Sequence, residues 1–81
     1  MNVSYDPIAN AAYIRLGDTS RKFARMVALD PSDVGGMINL DFDEDGFVLG
    51  IEFIDATGLL SPEVLSAARF LDGTGGVASG P

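Results

Sequence analysis

The stretch from Met37 to Ile54 constrains this chain more than any other. Ile38, Leu40 and Phe42 alternate with Asn39, Asp41 and Asp43; Leu49, Ile51 and Phe53 then alternate with Val48, Gly50 and Glu52. Period-two alternation sends successive side chains to opposite faces, which is the mark of a half-buried strand. Between the two runs stands Asp45-Gly46, a pair suited to a type I′ turn because both of its central residues need positive φ. A two-residue loop there pairs Phe42 with Leu49, Leu40 with Ile51 and Ile38 with Phe53, and gathers all six apolar side chains on one face. A three-residue loop would set Phe42 opposite Val48 and break that face, so the pattern predicts the two-residue register.

The rest of the chain supplies further strands and one helix. Val3 to Tyr5 reads as a short strand ending in the turn signal Asp6-Pro7. Ala11 to Leu16 follows, with Ala12, Ile14 and Leu16 opposing Tyr13 and Arg15, and Gly17 to Ser20 as a loop. Phe23 to Leu29 alternates again, which puts Arg15 and Arg25 on the two arms of an expected hairpin. Asp30 to Gly36 contains Pro31 and two glycines and is expected to be irregular. Ser61 suits a helix N-cap, Pro62 the first helical position and Glu63 the positive end of the dipole. Val64, Leu65, Ala68 and Leu71 form its apolar stripe, with Gly73 closing a helix of about ten residues that must dock on the sheet to be stable. The expected fold is α+β: an antiparallel meander of four to five strands with one short C-terminal helix packed on one face. Residues 1–72 form a single domain, and the Gly-rich tail 73–81 is expected to be disordered.

Composition narrows the function. The 81 residues include no Cys and no His, which excludes disulfides and thiolate zinc sites and removes the commonest general base. A chain this short buries only about 60% of its unfolded surface and needs help to be stable; with disulfides excluded, oligomerisation is the remedy expected, as a homodimer. Five bases against twelve acids give a net charge of −7, which opposes binding to nucleic acid. Four of the bases (Arg15, Arg21, Lys22, Arg25) fall in one short stretch, whereas eight acids lie between Asp30 and Asp55. The basic stretch is therefore expected to sit against the acidic one, within the monomer or across a dimer; otherwise the acidic surface awaits a basic partner. No apolar run reaches the length of a membrane span and the first residues do not resemble a signal peptide, so a cytoplasmic location is expected.

One constellation resembles chemistry. Asp41, Asp43 and Asp45, followed by Gly46 and then Glu52, match the spacing of a calcium loop in which alternate oxygens converge and a final Glu closes the shell. The flanking residues are strand-like where such loops need helices, so an acidic hairpin is the expected state and calcium binding the alternative. Asp41, Asp43 and Glu52 could also serve as a general acid/base pair, but a chain this small has little volume for the pocket that needs. Ser4, Ser20, Ser32, Ser61, Ser66 and Ser79 have no His to activate them, and Val34-Gly35-Gly36-Met37 lacks the Lys of a phosphate loop. No catalytic residues and no cofactor are expected. Tyr5 and Tyr13 read as packing residues on neighbouring strands.

Tyr5-Asp6-Pro7, Ala11 to Leu16, Asn39 to Gly46 and Leu49-Gly50-Ile51-Glu52, in that order, resemble the small prokaryotic family catalogued as domain of unknown function 2283. The resemblance covers about Val3 to Ala56, with Ile8 and Asn10 standing where acids are common. It implies a short β-rich protein without an established activity, and it supplies no catalytic or binding residues. The placement of some relatives beside small toxin-like proteins implies an antitoxin-like or accessory role. The function expected on these grounds is an acidic protein-interaction module, self-associating and able to bind a small basic protein.

Overall fold

The computed structural model describes residues 2–17 and 20–70. They form one six-stranded sheet: β1 (Asn2–Asp6), β2 (Ala11–Arg15), β3 (Phe23–Ala28), β4 (Met37–Asp43), β5 (Val48–Ile54) and β6 (Arg69–Phe70). Three short helices join them: α1 (Pro31–Val34), α2 (Ala56–Leu59) and α3 (Pro62–Ser66). The order across the sheet is β3-β4-β5-β2-β1-β6, antiparallel throughout except for the parallel contact of β6 with β1. The α+β class stands, but a simple meander does not. β2 pairs with β5 rather than β3, so Arg15 and Arg25 are not on facing arms of a hairpin. β2 ends beside the start of β5, whereas β3 begins at the sheet's edge beside the end of β4.

That hairpin keeps the expected register over most of its length, with Ile38 opposite Phe53 and Leu40 opposite Ile51. Near the tip it departs: Phe42 faces Val48, the pairing the alternation argued against. Two local features reconcile these facts. The loop is one residue longer than Asp45-Gly46 alone, with the Asp43 N–H bonded to the Phe47 carbonyl at 2.9 Å and Gly46 at φ 86° taking the left-handed position. A bulge in β5, between the pairs Phe42–Val48 and Asp41–Gly50, then takes up the extra residue. Leu49, the residue left unpaired, is the largest fully buried side chain among those described. The bulge thus preserves the face that the shifted loop would otherwise have broken.

The register places Tyr5, Ala12, Ile14, Ile38, Ile51 and Phe53 on a common face. Ala12 and Phe53 there form the buried centre with Ala56, and Leu59, Leu60 and Leu65 pack against it from the helical side. The single helix of about ten residues expected from Pro62 is shortened to five, and a further short helix precedes it. α2 begins directly after β5, and α3 ends at Ser66 because the chain turns back into β6 beside β1. The start of α3 is as the sequence dictates: Ser61 caps it by accepting the Val64 N–H at 3.3 Å, with Pro62 at the first helical position. Ser61→Ala should cost about 1 kcal/mol, read as a loss of roughly 4–8 °C in the thermal midpoint. Asp30 to Gly36, expected to be irregular, contains α1, capped by Asp30 through the Ser32 N–H at 2.9 Å. Leu71, Gly73 and the tail 73–81 lie outside the described residues.

Candidate functional site

Over its central strands the other face of the sheet is mostly polar among the described residues. On β2 it presents Tyr13 and Arg15, on β5 Gly50 and Glu52, on β4 Asn39 and Asp41. The Tyr13 hydroxyl donates to Asp41 Oδ2 at 2.9 Å, two strands away. It reaches that far because its ring lies across Gly50, where a Cβ would overlap the phenol. Burial raises the Tyr13 pKa first, the bond to Asp41 and that residue's charge raise it further, and Arg15 opposes both. Beside it the Asn39 amide donates to Glu52 Oε1 at 2.8 Å.

At the hairpin tip the basic and acidic stretches meet within the monomer. Arg21 Nη1 lies 3.0 Å from Asp43 Oδ2 and 3.1 Å from Asp45 Oδ2, and its guanidinium sits 5.0 Å over the Phe47 ring. Asp43, only 2% exposed at its side chain, accepts the Asp45 and Phe47 N–H groups on its other oxygen, both at 2.9 Å. Burial alone would raise the Asp43 pKa; the two N–H bonds and Arg21 outweigh it and hold the carboxyl below its usual value. Ser20, Arg21, Lys22, Asp43, Glu44 and Asp45 line an open polar groove of about 280 Å³ there.

The four residues with calcium-loop spacing are therefore dispersed over three contacts: Asp41 on Tyr13, Glu52 on Asn39, and Asp43 with Asp45 on Arg21. Among the described residues no group of three or more acidic side chains converges as a ligand set. Asp41, Asp43 and Glu52, offered for paired-acid chemistry, are each committed to a different neighbour. The depressed Asp43 carboxyl has a measurable consequence. A carboxyl ionising more readily in the folded state stabilises the fold above its unfolded value, near pH 3.9, and that stability is lost as pH falls through the folded value. Thermal midpoints measured from pH 6 down to pH 2.5 should fall less steeply for Asp43→Asn than for the natural chain, the difference isolating Asp43 from the general relief of acidic repulsion.

The β3 edge has a different character. Every residue from Phe23 to Ala28 is exposed, Phe23 at 58% and Met26 at 50%. Val27 and, on the neighbouring β4, Met37 are exposed as well. Arg25 does not project across this edge; it lies back over the Phe42 ring at 4.3 Å.

The fold and this site define a small α+β domain with one helix-covered sheet face, an ionic hairpin tip and an open apolar edge. The chain belongs to the family described as "Protein of unknown function (DUF2283)", which matches residues 2–56. That span holds β1 to β5 and ends at the first residue of α2; α3 and β6 follow it. Searches of curated proteins and of solved structures returned no match. Among the described residues no helix is long and apolar enough to cross a membrane.

Proposed function

We propose that this chain is a protein-interaction module that self-associates through its sheet and offers its acidic surface to a small basic protein in an antitoxin-like arrangement. The observation that carries the reading is the concentration of exposed large apolar side chains (Phe23, Met26, Val27, Met37) around one sheet edge. Large apolar side chains held exposed along a sheet edge are costly in water, and an open edge is a template for another strand. The groove at the hairpin tip is small, polar and crossed by Arg21, which suits an ionic clamp better than a substrate pocket. Net charge of −7 and the exposed Glu44 and Asp45 at the tip favour a basic partner, since complementary charge guides encounter. Affinity capture of the tagged chain from its native lysate, with absolute mass by light scattering on the eluate, tests both parts. A stoichiometric small basic protein supports the binding role, and a homodimer mass supports self-association. A monodisperse monomer that captures nothing overturns the proposal.

A further inference from the structure

The free edge of β3 has a pairing rule written into its hydrogen bonds. The Leu29 N–H donates to the Ile38 carbonyl at 2.9 Å, so Leu29 points its main chain toward β4. Alternate residues of a strand point their N–H and C=O groups to opposite sides. Val27, opposite Leu40, therefore points inward, whereas Met26 and Ala28 turn theirs toward the open edge. These groups lie on a strand whose side chains are all exposed, a template for another strand.

We infer that a second copy of this chain occupies that edge, its β3 antiparallel to the first about a two-fold axis beside Met26. The inference rests on the self-association reading above and names its seam. A two-fold that continues both faces of the sheet must pair residues of like parity, which leaves three central registers. With Arg25 on the axis, the outward groups of Met26 must pair with those of the partner's Ala24, the bulged residue, where the ladder is disrupted. With Val27 on the axis, Phe23 meets the partner's Pro31, which has no N–H and begins α1. With Met26 on the axis, the outward-pointing Met26 groups bond to their own counterparts and Phe23 comes beside the partner's Leu29. Lys22, ahead of the bulge, then lies at the end of the seam where the partner's Asp30 caps α1, and by symmetry these opposite charges share each end of the seam. A copy of the same chain thus supplies the matching charges, the apolar contacts and the backbone groups together. The bulge at Ala24, where the register with β4 shifts, keeps the matched segment short and limits growth beyond a dimer.

The chain has no cysteine of its own, so a single introduced thiol reports its position cleanly. Directly opposed residues in a hydrogen-bonded antiparallel pair have Cα atoms about 5.5 Å apart, within disulfide range. Met26→Cys is expected to form a covalent dimer under mild oxidation at concentrations where Glu63→Cys, exposed on α3, stays monomeric. Met26→Lys, checked for native circular dichroism, is expected to weaken the dimer at least roughly tenfold by placing two ammonium groups face to face. If the natural chain is a dimer by light scattering and Met26→Cys links no faster than Glu63→Cys, this seam is wrong while self-association stands. If the natural chain is a monomer up to millimolar concentration, both fail.

Discussion

Gly50→Ala should be among the most damaging single-methyl changes in the domain, costing about 3 kcal/mol, near the upper end for forcing atoms into a packed site. For a chain of this size that corresponds to roughly 12–24 °C in the thermal midpoint. The cause is not backbone conformation but occupancy. The added Cβ would overlap Oη and Cζ of Tyr13 and come within 2.7 Å of the Ile14 carbonyl oxygen. The phenol can swing away, losing its bond to Asp41; the Ile14 carbonyl is main chain in the adjacent strand and can retreat only if β2 and β5 separate. A double-mutant cycle with Tyr13→Ala divides the two contributions. Removing the ring should recover part of the loss and leave the remainder to Ile14, giving a coupling energy of about 1–2 kcal/mol. A cost unchanged by Tyr13→Ala would show that the ring does not lie over Gly50. Chemical denaturation at constant m-value is the appropriate measurement.

Gly50 also shows where the sequence could be read and where it could not. The alternation around it identified both strands of the hairpin and the face that Ile38, Leu40, Ile51 and Phe53 share, because burial of one face leaves a period-two signature that needs no knowledge of neighbours. The pairing of Phe42 with Val48 was missed because a longer loop and a compensating bulge leave the pattern nearly unchanged; only the buried, unpaired Leu49 betrays them. Strand order was illegible for a related reason. Alternation says that a strand has an inner face, but not whether β2 continues into a hairpin with β3 or, as found, pairs with β5. The helix after Ser61 was legible at its start, where capping is a local matter. It was not legible at its end, where the parallel contact of β6 with β1, a tertiary event, stops it. The acidic constellation was recognised as a set by spacing, but spacing cannot reveal that Arg21, twenty-two residues from Asp43, already stands between two of its carboxylates. The charge segregation along the chain was the available signal for that contact, and it left open whether the meeting was within one molecule.

Asn10, singled out by the sequence only as a residue standing where acids are common, is the second position where a large effect is expected. It holds φ at +50°, a region that Asn tolerates and Ala does not. Its side chain ties the β1–β2 turn to the start of α2. Oδ1 accepts the Tyr5 hydroxyl at 2.9 Å and the Thr57 N–H at 3.3 Å; Nδ2 donates to Asp55 Oδ1 at 2.9 Å and to Thr57 Oγ1 at 3.0 Å. Its main-chain carbonyl also accepts the Ala56 N–H at 2.9 Å. Asn10→Ala should cost about 3 kcal/mol: about 1 for the left-handed backbone and about 2 for the hydrogen bonds, discounted for those open to water. Asn10→Gly, which accepts the backbone, should recover the first part only. Asn10→Asp distinguishes this account from a generic turn effect. It keeps an acceptor for Tyr5 and Thr57 but sets a carboxylate against Asp55, so at neutral pH it should destabilise the domain by about 2 kcal/mol. The double change Asn10→Asp with Asp55→Asn restores a donor–acceptor pair in reversed order and should return most of that stability. If the double variant melts no higher than Asn10→Asp alone, the Asn10–Asp55 bond does not hold the turn to α2.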